Sequence, residues 1–361
     1  MRGHAGSHED RLVKIALVHR RYTTNGGTER YLVGLTRWLV SQGHEPVVFA
    51  NEVRDDLRSE PGVRFVRLAI QRPTPFLKLT SLWRSAKRAI AAESWDAVMG
   101  FGRTGGHDLY RSGGGSHVAA LRNEHPLRRW ISPADWLEMA VDRRAVLDAR
   151  ICMANSKLGA RGMREDYGAK RVEVVYNGVD LERFKPDPEA RRALRAERGV
   201  QGPLAIFVGN GFRRKGLDLA IAALPSGWRL WVIGGDAPWN APPNVTFLGG
   251  QRDPERFVQA ADLLVLPTRY DPFANVCLEA MACGVPILTT STNGAAEIVP
   301  HPWMVADSSM ALRSAWEHIA IGGVHTPLGA LCRTVAEGYT RERSFSAAFQ
   351  LLQEAAQARG A

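Results

Sequence analysis

Short apolar runs alternate with amphipathic stretches along most of the chain. The first run, Ile15–Val18, leads through a polar loop containing Gly26 and Gly27 into the stretch Thr28–Gln42. There Tyr31, Leu32, Leu35, Trp38 and Leu39 recur at helical spacing, and Gly43 supplies a stop. The pattern predicts strand, loop, helix. Further strand-like runs at Val47–Ala50, Val63–Leu68, Ala97–Phe101, Ile151–Ala154 and Val172–Tyr176 interleave with helical patterns at Phe76–Ala92 and Ile131–Leu147. Such alternation predicts a mostly parallel sheet with helices on both faces.

The rhythm breaks at Lys185–Pro203, where Pro186, Asp187 and Pro188 precede a charged Arg/Glu stretch, and then resumes. Strands are expected at Leu204–Val208, Leu230–Ile233, Val245–Leu248, Leu263–Pro267 and Pro286–Thr289. Helices are expected at Leu217–Leu224, Pro254–Ala261 and Ala274–Cys283. The expected organisation is a doubly wound α/β unit over residues 1–184, a linker over 185–203 and a second such unit over 204–340. A C-terminal helix over 341–361 is expected to return to the first unit. Ligands in these sheets bind beyond the carboxyl ends of the strands, so two facing units make a cleft.

With 361 residues, 45% of them apolar and 23% charged, the chain falls in the globular range. No stretch has the roughly eighteen apolar residues of a membrane span, and Met1–Arg11 has no apolar signal core, so a cytoplasmic protein is expected. Charge adds an asymmetry. Residues 1–165 hold 27 of the 47 basic and 17 of the 37 acidic side chains, so the whole excess of +10 lies there. That half is expected to meet an anionic partner: a membrane surface, a phosphorylated glycan or nucleic acid.

The chemistry concentrates in the second half. Within Arg269–Leu288, Pro272 and Phe273 stand where a loop becomes a helix, and Gly284 and Pro286 end it. The helix start offers unpaired N–H groups near Asn275 and Val276, as a diphosphate requires. Glu279, four residues after Asn275, shares its face and sets a carboxylate one turn further on, able to accept both hydroxyls of a ribose. Asp271, in the loop above, is placed to take hydroxyls of a transferred sugar. Upstream, Leu204–Leu224 runs a buried strand into Arg213, Arg214 and Lys215, cations suited to a departing diphosphate.

The basic loop, the pair Asp271 and Glu279 with its LEAMACGVP continuation, and VVYNGVDLERFKP at Val174–Pro186 resemble the retaining GT-B glycosyltransferases of family 4. The chain is most similar there to bacterial enzymes that build lipopolysaccharide core. The resemblance covers nearly the whole chain, starting at Gly26-Gly27-Thr28-Glu29-Arg30, and is most specific in the second half. It implies an α/β GT-B architecture: two facing Rossmann-like domains with the active site between them, the first binding acceptor and the second nucleotide sugar. It assigns Arg214 and Lys215 to the diphosphate, Glu279 to the ribose, and Phe273, Ala274, Asn275 and Val276 to backbone contacts with sugar and phosphate. Asp271 matches a position usually held by Glu, which moves the carboxylate by about 1.5 Å. The implied reaction is transfer of a hexose or N-acetylhexosamine, with retention, from a UDP-linked donor to a glycan or lipid-linked glycan of the envelope.

Around the cleft, His107 and His117 flank the strand-like Asp108–Ser112, and Gly113–Gly115 follow it. The family usually has a cleft histidine or acid just beyond this strand; His117 is the nearest match, and a surface histidine in a glycine-rich turn fits the sequence equally. Gly27 is expected near donor phosphate. Gly26 and Gly27 do not form GxGxxG, which disfavours a nicotinamide dehydrogenase. No DxD-like pair appears, and Cys152, Cys277, Cys283 and Cys332 lack metal-ligand spacing, so buried thiols and no metal cofactor are expected. A catalytically silent sugar-nucleotide binder and a sugar-nucleotide epimerase are the alternatives. A nucleic-acid-binding protein would account for the basic charge but not for the donor motif. Between Pro61 and Ala92 stand Arg64, Arg67, Arg72, Lys78, Arg84, Lys87 and Arg88 with no acidic residue, interleaved with Phe76, Leu79 and Trp83. This composition predicts peripheral docking on an anionic membrane, unless the apolar face packs on the sheet and the cations are simply solvated.

Overall fold

The computed structural model describes residues 14–71, 74–124, 127, 131–235, 242–321 and 327–358; Met1–Arg11 and Arg72 lie outside them. Among the described residues, seven parallel strands form the first sheet: β1 (Lys14–Val18), β2 (Glu45–Ala50), β3 (Arg64–Arg67), β4 (Ala97–Gly100), β5 (Leu109–Ser112), β6 (Ile151–Ala154) and β7 (Val172–Val174). Their order is β3-β2-β1-β4-β5-β6-β7, so the winding reverses between β1 and β4. The second sheet has five parallel strands: β8 (Leu204–Gly209), β9 (Arg229–Gly234), β10 (Val245–Gly249), β11 (Leu263–Leu266) and β12 (Ile287–Thr289). Their order is β10-β9-β8-β11-β12, with the reversal between β8 and β11. Both are doubly wound sheets, and each reversal opens a crevice beyond the strand ends.

Several helices were hidden from the periodicity because they are short or polar outside: His117–Glu124, Lys157–Tyr167, Pro188–Glu197 and Phe212–Lys215. The helix Pro188–Glu197 lies inside the segment read as a linker. Asp187 accepts the N–H groups of Glu189 (3.1 Å) and Ala190 (2.8 Å) with Pro188 at the first turn, a strong start signal. Leu194 is buried in the second core, and Arg191 and Arg195 clamp Asp262, just before β11. The prolines thus begin a helix of the second unit rather than an extended connection.

The helix Arg341–Gln357 packs with helix Gly27–Ser41 and with β4, β5 and β6 of the first sheet. Its Phe345, Ala348, Leu352 and Ala355 share one buried cluster with Ile15, Leu17, Leu32 and Leu39. The Phe345 ring meets Tyr31 edge-on at 5.2 Å, over Gly34, where any side chain would collide with it. The chain therefore crosses between the units twice, and its last helix completes the first core. All four cysteines are free and buried.

Candidate functional site

The second sheet's reversal decides where its cations go. β8 and β11 are neighbours, so the loops leaving them meet: the turn Phe212–Lys215 after β8 and the loop Thr268–Ala274 after β11. Lys215 Nζ lies 2.5 Å, and Arg214 NH1 3.1 Å, from the same Asp271 oxygen, Oδ2. Asp271 Oδ1 accepts the Phe273 N–H at 3.1 Å. Both oxygens of this buried carboxylate are thus engaged within the second unit. Burial alone would raise its pKa, but Lys215 and then Arg214 outweigh it and hold the group below the usual carboxylate range. Arg213 is exposed.

The helix Asn275–Ala282 begins without a side-chain cap. Asn293 Oδ1 takes the Ala274 N–H at 3.1 Å, which leaves the N–H groups of Asn275 and Val276 at the open end. Gly27 of the first unit faces this end, and a Cβ on it would stand 3.2 Å from Asn275 Nδ2. The two units approach closely here, and a side chain at 27 would have to displace the Asn275 amide by a few tenths of an ångström. Glu279, Asn275, Gly27 and Arg30 line one small cavity. Among the described residues, nothing donates a hydrogen bond to the Glu279 carboxylate; Arg30 NH1 is 3.7 Å away. Burial raises the Glu279 pKa, against the opposing pull of Arg30, Arg183 and Arg341. A desolvated carboxylate of this kind suits paired hydroxyl donors.

The first sheet's reversal opens a larger cleft of about 370 Å³, lined among others by His19, Arg20, Arg103, Gly114 and His117. The two histidines separate cleanly. His107 is buried, stacked on Tyr110 and bonded to Thr104 at 2.8 Å, and burial pushes its pKa down to about 3. His117 faces the cleft, with Nε2 3.0 Å from Asp135 Oδ1 and 3.6 Å from Glu138. His117, Asp135 and Glu138 offer ligand atoms within 4.8 Å of one another. Arg103, 3.0 Å from Glu138 and 2.8 Å from Asp142, already places a cation in that cluster.

The three glycines after β5 serve the protein as much as a ligand. Gly115 (φ +69°) lies against the Tyr270 hydroxyl and Pro272, and Tyr270 Oη accepts the Ser116 N–H at 3.1 Å. The loop beside His117 is thereby fixed to the loop that carries Asp271. Gly114 alone faces open space.

Sequence reasoning singled out the residues on the second unit's motif but missed their cross-unit partners. Arg30 at Glu279, Asn177 at Asn275 and Tyr270 at Ser116 join segments 249, 98 and 154 residues apart. Arg30, Asn177 and Tyr270 all lie inside stretches the sequence singles out, but nothing local shows which residue of the other unit each one meets. Asp135, Glu138 and Asp142, which surround His117, sit on helix Pro133–Asp148, whose pattern reads only as a helix.

Residues 25–183 match the family described as Glycosyltransferase Family 4, and residues 202–319 match Glycosyl transferases group 1. A Burkholderia thailandensis protein named a probable transglycosylase is 30% identical over 86% of this chain and 89% of its own length. The lipopolysaccharide glucosyltransferase WaaG of Escherichia coli is 24% identical over 79% of this chain and 82% of its own. A crystal structure of WaaG superposes with a TM-score of 0.78, at 21% identity, over 94% of this chain and 99% of that one. HepE of Anabaena, solved in complex with UDP and glucose, gives 0.71 at 18% identity, over 97% and 100%.

Proposed function

The chain belongs to glycosyltransferase family 4 and is a glycosyltransferase of the GT-B fold, and from that premise we propose that it moves a hexose or N-acetylhexosamine from a UDP-linked donor, with retention, to a glycan or lipid-linked glycan of the bacterial envelope. One observation carries the donor reading. An uncapped helix start and, one turn beyond it, a carboxylate that has no hydrogen-bond donor among the described residues line the same cavity, opposite Gly27. In this reading the diphosphate takes the open N–H groups at Asn275 and Val276, and the ribose hydroxyls donate to Glu279. The names of WaaG and HepE favour a glucosyl or related donor and uridine as the base.

As the glycosyl–phosphate bond loosens, negative charge grows on the leaving oxygen. Lys215 and Arg214 stand where that charge develops, held in advance by Asp271, so little reorganisation is needed. The leaving phosphate oxygen takes the acceptor hydroxyl's proton on the same face of the sugar, and no separate carboxylate base or metal is required. His117, oriented by Asp135, faces the acceptor side of the cleft and positions the incoming hydroxyl. The test is calorimetry of UDP against GDP, followed by transfer assays in chelator with NMR of the product's anomeric configuration. Binding of neither nucleotide would overturn the donor reading; binding without transfer or donor hydrolysis would favour a silent binder.

The first unit is read as docking on an anionic membrane, in altered form. Leu82 and Ala86 of helix Pro75–Ala91 are buried in the core, and Leu79 lines the cleft, so Phe76, Leu79 and Trp83 do not form an outward apolar stripe. Phe76 remains 58% exposed, and helix Pro133–Asp148, which contacts this helix, presents Trp136 at 49%, with Ile131 at 73% just before it. Arg84, Lys87 and Arg88 are exposed. No helix among the described residues is long and apolar enough to cross a membrane.

A further inference from the structure

We propose that Arg111 is a positioning residue for the donor diphosphate, fixing the direction of an amide relay through Asn177 and Asn275 so that Asn275 presents an N–H to the phosphate. The proposal rests on the donor reading given above.

Arg111, on β5, is 1% exposed. Its guanidinium lies 3.7 Å over the Tyr31 ring, and among the described residues no carboxylate pairs with it. NH2 donates to Asn177 Oδ1 at 2.7 Å, while Nε and NH1 have no acceptor. Gly113 packs on the same group; a Cβ there would stand 2.8 Å from NH1. A buried cation without a counter-charge is costly, and an apolar side chain would fill this volume better. Stacking on Tyr31 offsets part of that cost.

The hydrogen bonds give the cation a task. An amide can be turned either way, but a guanidinium only donates. With Arg111 donating to Asn177 Oδ1, Asn177 must offer Nδ2 to its other neighbour, and it donates to Asn275 Oδ1 at 2.7 Å. Asn275 must then turn its own Nδ2 outward, toward Gly27, at the helix start where the phosphates are read to lie. Each bond polarises the next in the sense that strengthens the last donor. Tyr31 and Asn177 line the smaller cavity while Arg111 lines the larger, so the cation stands in the wall between the two.

The test compares UDP with UMP by calorimetry in the parent, Arg111→Gln and Arg111→Lys, and in Asn275→Asp alone and combined with Arg111→Gln. Glutamine presents either an oxygen or an N–H to Asn177, so the direction of the relay is lost. Arg111→Gln is expected to weaken UDP about tenfold or more, the scale of a hydrogen bond to a charged group, and to change UMP less than about twofold if the relay serves the β-phosphate. Arg111→Lys, still only a donor, should restore most of the UDP affinity, and the double variant should lose no more than Asn275→Asp alone. Equal weakening of UDP and UMP, unchanged UDP affinity, or additive losses would overturn the proposal. If Arg111→Gln fails to fold, Asn177→Asp satisfies the same guanidinium yet has no N–H for Asn275. It should retain the parent's Tm and still weaken UDP; parental UDP affinity would overturn the relay. A parent that binds neither UDP nor GDP overturns the donor reading itself, before any variant is compared.

Discussion

Lys215 Nζ and Asp271 Oδ2 are 2.5 Å apart, and both side chains are buried at the end of the second sheet's reversal. Side chains 56 residues apart meet because β8 and β11 are neighbours. The pair holds the Lys215 ammonium in one direction, and this sets what removing either partner should do.

Lys215→Ala should lower kcat more than it raises donor KM, because the leaving diphosphate gains charge only in the transition state. Steady-state kinetics with varied donor decides this, and a loss confined to KM would count against the assignment. Asp271→Asn leaves Lys215 buried without a counter-charge, a change on the order of 3 kcal/mol in stability. The pH dependence has a definite sign. Asp271 is held below the usual carboxylate range, so its contribution is complete above that range and is lost as pH falls through the folded-state value. Asn at 271 should remove that acid-side loss from a Tm–pH profile.

Glu279→Ala should weaken donor binding, since two charge-assisted contacts to ribose hydroxyls disappear. Burial raises the Glu279 pKa, so in the parent donor affinity should decline at a higher pH than an ordinary carboxylate would dictate. Glu279→Gln should flatten that decline. Donor KM and kcat both at parental values in Glu279→Ala would exclude the ribose role.

The helix start at Asn275, the carboxylate at 279 and the cation pair were legible because each is a local pattern, fixed by loop, cap and helical period. What the sequence withheld is long-range. Asp271 reads in the sequence as an acceptor of sugar hydroxyls, yet the strand order brings Lys215 and Arg214 to its Oδ2, while Oδ1 accepts the N–H of Phe273 two residues on. The return of the last helix to the first unit is expected from the sequence, but nothing around Phe345 announces that its ring meets Tyr31 edge-on. Leu79 and Trp83 have the spacing of a surface stripe, yet the sheet beneath draws Leu82 inward and turns Leu79 to the cleft. Periodicity gives the face but not what lies against it.

Glu297 of the second unit caps a helix of the first. Its two oxygens accept the N–H groups of Lys157 and Leu158, each at 2.8 Å, and one also takes the Tyr176 hydroxyl at 2.8 Å. Glu297→Ala should therefore loosen the junction, costing about 1 kcal/mol as helix caps do. Scanning calorimetry should show a lower Tm, with Glu297→Gln intermediate. A Tm unchanged in both variants would mean that the cap contributes nothing to holding the units together.

Membrane docking makes the last prediction. Helix Pro75–Ala91 turns Leu82 and Ala86 into the core, which leaves Arg84, Lys87 and Arg88 outside, and Phe76 stands exposed near its start. Each basic residue close to an anionic surface is worth roughly 1 kcal/mol, so a few of them acting together hold the protein at lipid headgroups only while salt is low. Flotation with vesicles containing anionic lipid should recover the parent. Changing Lys78, Arg84, Lys87 and Arg88 to Gln should release it. Phe76→Ser with Trp136→Ser should weaken binding less and leave its salt dependence in place, because apolar anchors are not screened. Equal recovery of parent and Gln variant, or no recovery of the parent at low salt, would show that these cations are merely solvated and that the acceptor reaches the cleft without help from the membrane.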